Sequence, residues 1–370
     1  MPITAYSKTF KSELSVDQFK NRYDNLIDKP PLNEFVKMDV ECSCCSSIGA
    51  RIVSEGLSKK TKQKVSQTHF AFKNENGSDA HKIFCDHYSG EDKQSTATNE
   101  TAINFLKKSQ SEITLLIGKL VSTAIQNNIF NQEDIRNMRH WFLNMRSQQD
   151  FKIEDSTHHI NILRKTISTI NKDSEREYIF DKKILDEDDF DLDQEVYKSL
   201  AKKFPFPNKV KETNGLTYFF SKKDVVKKAI SISKKGNGTY EFDREILRDK
   251  YNLATKLSLE IVKSNRLLYR KISYTANGVR AKNPLMAYSA TLLFINNWNI
   301  DKASEMHNKI INLSSTDNNL GSVMGLNPFI HYEAWITLKF SSIWKNDFTE
   351  YNFDEEFNKE KKRLKELYEL

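Results

Sequence analysis

Glycine and proline are scarce, 11 and 7 residues in a chain of 370, and closely spaced turn signals are few. An all-β protein needs such signals about every 8–12 residues, so that class is excluded. No run of 18 consecutive apolar residues occurs, which argues against a membrane-spanning helix. Met1 to Tyr6 lack a basic segment followed by an apolar one, so no secretory signal is expected and the chain reads as cytosolic. Also missing are H-E-x-x-H and an H-x-E followed by a Cys pair. Gly321 and Gly325 lack the Gly-Lys-Ser/Thr ending of a phosphate cradle, and the acidic run Asp186 to Asp193 lacks the glycine of a calcium loop. With no catalytic motif in view, no catalytic residue is assigned and an enzyme is the less favoured class.

What is present is amphipathic. Hydrophobic residues make up 38% and charged residues 29%, and the apolar ones recur at helical spacing, which defines a folded, mainly α chain long enough for two or three domains. Phe10, Leu14, Phe19, Tyr23 and Ile27 read as a first helical stripe, ending before Pro30-Pro31. Ile113, Leu116, Ile117, Leu120, Val121 and Ala124 form a second, and Asn131 can cap a third carrying Ile135, Met138, Phe142 and Met145, with Arg136, Arg139 and Arg146 on other faces. The spacing predicts further helices near 160–170, 243–270, 284–297, 301–313, 328–345 and 354–370. A charged run over 173–195 reads as a boundary, giving an N-terminal cysteine segment at 1–96 and helical bodies at 97–195 and 196–370.

All four cysteines lie between positions 42 and 85, with three of the eight histidines beside them. In a reducing compartment such clustering points to a metal before it points to disulfides. Cys42-x-x-Cys45 lets two thiolates of one tight turn reach the same tetrahedral ion, which is half a structural zinc site. The other half comes from His69, His81, Cys85 and His87.

Cys42-x-x-Cys45, His69-Phe70-Ala71, Cys85-Asp86 and Glu100-Thr101 with Lys108 resemble the N-terminal zinc-knuckle segment of competence CoiA-like proteins, over about residues 42–108. The resemblance implies one structural zinc held by Cys42, Cys45, His69 and Cys85, a helix start after Glu100, and work near DNA. Phe72 and Asn104 stand where that family's pattern has histidines, and no strand supplies the acidic and glutamine residues of its nuclease part.

Two basic stretches complete the reading. Lys222, Lys223, Lys227, Lys228, Lys234 and Lys235 either flank a hairpin turned at Gly236-Asn237-Gly238, forming a phosphate-contacting face, or sit solvated on one helix that Gly236 caps. Lys263, Arg266, Tyr269, Arg270, Lys271, Tyr274, Arg280 and Lys282 interleave aromatics with cations, as single-strand binders do, unless Leu268 and Tyr269 both face a core. With a formal charge of +7, the expected function is a zinc-containing nucleic-acid-binding or -processing accessory factor, in DNA uptake or defence against foreign DNA. The alternatives are a helical interaction subunit of a protein complex and a diverged nuclease.

Overall fold

The computed structural model describes residues 4–57, 64–82, 85, 87–88, 102–104, 111–148, 150–154, 157–169, 178–204, 216–236, 238–314 and 324–370. It is mainly helical, with small β-sheets near the N-terminus. Two units divide the chain: Met1–Gln149 with Ile246–Ile330, and Asp150–Glu245 with His331–Leu370. Each is built from two separated stretches, unlike the consecutive segments expected from composition. The described part of the acidic run is no boundary, since it feeds a 3₁₀ turn at Lys182–Asp186 and the helix Leu192–Lys203 inside the second unit. Among the described residues no helix is long and apolar enough to cross a membrane.

The first unit opens on a hairpin rather than the expected helix. Strand Thr4–Ser7 pairs with Ser12–Ser15 on one side and Val40–Glu41 on the other, with Lys11 taking a left-handed φ of 48° in the turn. Only then does the helix Val16–Asp24 begin, held by a capping box in which Ser15 and Gln18 satisfy each other's backbone N–H. The apolar spacing was therefore shared between a strand, which buries Leu14, and a helix, which buries Phe19 and Tyr23. Phe19 meets the rings of Phe10, Phe35 and Phe70, the last on strand His69–Phe72, which pairs with Ala50–Val53.

Asn131 caps the helix Gln132–Arg146 as its sequence predicts, with Asp134 completing the box. Two of its arginines are not on an outer face: Arg139 and Arg146 are buried. Arg139 Nη1 lies 2.6 Å from Glu13 Oε2, whose second oxygen accepts from Thr4 Oγ1 at 2.6 Å.

The helical part of this unit is organised by Asn283–Ile295, which buries every residue from Leu285 to Leu293 and packs on the helices Glu112–Gln126, Arg248–Ser264 and Ile300–Ile311. An all-round apolar helix of this kind belongs at a bundle centre.

Beside it, buried His307 lies 3.2 Å by Nδ1 from the Tyr288 hydroxyl and 3.0 Å by Nε2 from Ser264 Oγ. Ser264 Oγ itself donates to the Ile261 carbonyl at 3.0 Å. The imidazole is thus held between two hydroxyls.

Burial pushes His307 down to about 4. Between about pH 6.5 and 4 the unfolded chain holds a proton here that the folded chain lacks, so stability is full above 6.5 and falls as pH drops through 4, by about 3 kcal/mol in all. Denaturant titrations at pH 7.5 and 4.5 are expected to show this loss in the parent chain. His307→Gln should reduce the difference between the two titrations by about that amount, and an unchanged difference would assign the acid sensitivity elsewhere.

The second unit joins the short strands Asp150–Lys152 and Tyr240–Phe242 and five main helices: Thr157–Thr169, Leu192–Lys203, Lys223–Gly236, Tyr332–Lys345 and Phe353–Tyr368. Its core gathers Phe204, Phe220, Trp344, Phe353 and Phe357. At its C-terminal end Tyr368 stacks on Phe180 at 3.9 Å, accepts from the Phe180 N–H at 2.8 Å and donates to the Phe180 carbonyl at 2.7 Å.

Candidate metal centre

The strand Val40–Glu41 delivers Cys42 into a tight turn, where Cys42 N–H donates to the Ser47 carbonyl at 2.9 Å and Ser46 N–H returns to the Cys42 carbonyl at 3.0 Å. The Cys44 amide points at Cys42 Sγ, 3.4 Å away. The turn closes through Ser46 and Gly49, both left-handed at φ 57° and 82°, the second a conformation that glycine adopts without strain. From the opposite side, the Asp79 carboxylate receives His81 N–H at 2.9 Å, and Cys85 N–H donates to the Lys82 carbonyl at 3.0 Å.

Cys42, Cys45, His81 and Cys85 thereby place their ligand atoms within 4.8 Å of one another, and all four residues are buried. Cys42 Sγ is 3.9 Å from Cys85 Sγ; His81 Nδ1 is 3.5 Å from Cys45 Sγ and 3.7 Å from Cys85 Sγ. Tetrahedral zinc with bonds of about 2.3 Å to sulfur and 2.0–2.1 Å to nitrogen requires roughly 3.8 Å between sulfurs and roughly 3.6 Å between sulfur and nitrogen. The observed separations match those edges, while the Cys42–Cys85 gap is far too long for a disulfide of about 2.05 Å. The buried Cys3His group is compatible with one structural zinc, its four protein donors fitting the closed coordination of such an ion.

The electrostatics agree. Burial raises the Cys42 thiol well above its usual value, and hydrogen bonds with Cys42, Cys44 and Cys45 raise Cys85. Bonds from Cys42 and Cys85 lower Cys45. One thiolate held by its neighbours' protons is what three crowded thiols sustain by themselves, and a bound dication is what lets all three ionise. Ser47 Oγ, 3.2 Å from Cys45 Sγ, adds a donor.

The resemblance placed His69 among the ligands, and the structure puts His81 there instead. Strand alternation gives the reason. Phe70 and Phe72 turn into the core, and Phe72 meets the His81 ring at 5.0 Å, so the cluster lies on their side. His69 falls on the other face, where its Nδ1–H donates to the Gln67 carbonyl at 2.8 Å. Cys44 and His87 also stand outside the group, although the His87 ring is 5.7 Å from that of His81. Residues 102–104, next to the expected helix start, form a strand paired with Met324–Leu326; Glu100, Thr101 and Lys108 lie outside the described residues.

A contact that the sequence did not disclose fastens this turn to the helix Gln132–Arg146. Ser46 Oγ accepts from Arg136 Nη2 at 2.9 Å and pairs with His140 Nε2 at 2.9 Å, while Arg136 also binds the Glu41 carboxylate and lies 3.9 Å over the Tyr6 ring. Burial, followed by the charge of Arg136, lowers the pKa of His140. Such partners orient a metal-binding loop without touching the ion.

The lysine stretch resolves as the continuous helix Lys223–Gly236, and Tyr240–Phe242 pairs with Asp150–Lys152 rather than folding back as a hairpin. Lys223, Lys227, Lys234 and Lys235 are exposed and Lys228 is half-buried. Lys222 is engaged by Glu333 at 2.8 Å. Arg266 and Arg270 are exposed on the short helix Arg266–Lys271, where Leu268 is buried and Tyr269 is not. No known protein family matches the sequence, and comparisons with curated proteins and with solved structures found no match.

Proposed function

We propose that this chain is a nucleic-acid-binding accessory factor whose N-terminal segment is folded on one zinc ion. One observation carries the reading. From residue 261 to 300 the chain holds six lysines and arginines and not one carboxylate, against a net charge of +7 for the whole. Lys263, Arg266, Arg270 and Lys271 of this stretch are exposed, and among the described residues Arg266 and Arg270 have no ion-pair partner. Glu112, from another helix, engages Lys271, and the two arginines that remain unpaired are the electrostatic footprint that phosphates recognise. Zinc in this reading is structural, holding the turn from Cys42 to Ser47 against the helix Gln132–Arg146.

Titration with labelled DNA and RNA at two salt concentrations tests it. Binding that weakens steeply with salt is expected, and Arg266→Ala with Arg270→Ala should flatten the slope of log K against log salt by about 1.4 for a single strand. Salt-sensitive binding that these substitutions leave untouched moves the contact surface elsewhere. One zinc per chain with no binding would leave the interaction-subunit reading.

A further inference from the structure

We infer that the surface bearing Tyr269 and Tyr274 takes unpaired nucleic-acid strands, stacking bases on the two rings while Arg266 and Arg270 hold phosphates. The inference rests on the nucleic-acid reading above and narrows it from nucleic acid in general to single strands.

The local fold dictates the arrangement. Asn265 caps the helix Arg266–Lys271, its Oδ1 accepting from Leu267 N–H at 3.0 Å and Leu268 N–H at 3.1 Å. Leu268 and, just past the helix, Ile272 are buried and anchor the segment. With Leu268 inward, Tyr269 is turned about 100° round the helix and stands 55% exposed. Tyr274 follows at 46% exposed, and the two ring centroids lie 5.9 Å apart at an interplanar angle of 44°.

A base inserted between two rings needs about 7 Å, twice the van der Waals gap of about 3.5 Å. At 5.9 Å and tilted by 44°, the two rings touch and leave no room for a base between them, so stacking would use the outward side of each half-exposed ring. Arg266 and Arg270, four residues apart, share one side of the helix that carries Tyr269. Exposed tyrosines beside unneutralised guanidinium groups suit a ligand that is both aromatic and anionic. A duplex keeps its base faces stacked internally and can use only the cations. Residues 261–300 hold no carboxylate of their own, and Glu112 of another helix is engaged by Lys271, so the surface offers little to a basic protein partner.

The test compares three 20-nucleotide probes: oligothymidylate, a mixed-sequence duplex and an abasic strand with the same phosphates. Oligothymidylate should bind more tightly than the abasic strand. Tyr269→Ala and Tyr274→Ala should each weaken oligothymidylate about 5- to 150-fold and leave the duplex and abasic affinities unchanged, while Tyr269→Phe retains binding. Both tyrosines are exposed, so unchanged thermal unfolding is expected and separates lost stacking from lost fold. If the alanine variants bind oligothymidylate like the parent, or the parent prefers the duplex, the stacking surface is refuted while the nucleic-acid reading stands. If no probe binds in a salt-sensitive way, both fall.

Discussion

Chelation, or Cys85→Ser, is expected to unfold the zinc turn and the small sheets packed on it. Three buried thiols and an imidazole at tetrahedral spacing are mutually repulsive once deprotonated and poorly solvated when protonated, so the ion is what makes their burial favourable. Structural zinc contributes about 10–16 kcal/mol in isolated zinc-binding peptides, on the scale of the total stability of a whole domain, about 5–15 kcal/mol. Hydrogen exchange should accelerate across residues 4–57 and 64–82, and elemental analysis should find one zinc per parent chain and none in the variant. The sharpest comparison pairs two histidines. His81→Ala should lose the metal and His69→Ala should keep it; the opposite pattern would restore the ligand set that the family resemblance implies.

The second large effect lies at the ion pair of Glu13 and Arg139. Both side chains are buried, and the carboxylate is shared with Thr4. Arg139→Met strands a carboxylate away from water and is expected to cost about 3–5 kcal/mol, measured by denaturant unfolding. Replacing both partners, Glu13→Leu with Arg139→Met, should recover most of that loss, because the desolvated charge is gone as well. A double variant as unstable as the single one would mean that the pair fixes the fold beyond its own electrostatics.

How far these features were legible depends on the range of the signal. The helices Glu112–Gln126, Gln132–Arg146 and Asn283–Ile295 announce themselves in local apolar spacing and in the Asn131 cap, and the structure places each within a few residues of expectation. The metal cluster was visible because four cysteines in one stretch of a long chain have few bland explanations. His81 was not separable from His69 by composition, since what decides between them is which face of a strand turns toward the thiols. Arg139 looked like an outward charge because its partner Glu13 lies 126 residues away, on a strand whose spacing imitates a helix. The three-residue strands that pair 102–104 with 324–326, and 150–152 with 240–242, are too short to leave any periodic trace.

The interleaved course of the chain also sets an order of events during synthesis. Residues 1–149 emerge first, yet the strand Ala102–Asn104 waits for Met324–Leu326, and the helix Glu112–Gln126 waits for the apolar helix Asn283–Ile295 that covers it. Asp150–Glu245 in turn waits for His331–Leu370. Neither unit can close until the ribosome has passed residue 300, so the early product is a long nascent chain with unburied apolar helix faces behind a locally paired N-terminal segment that holds the cysteine turn. A zinc ion captured there would give that chain its first persistent structure well before its remaining partners exist.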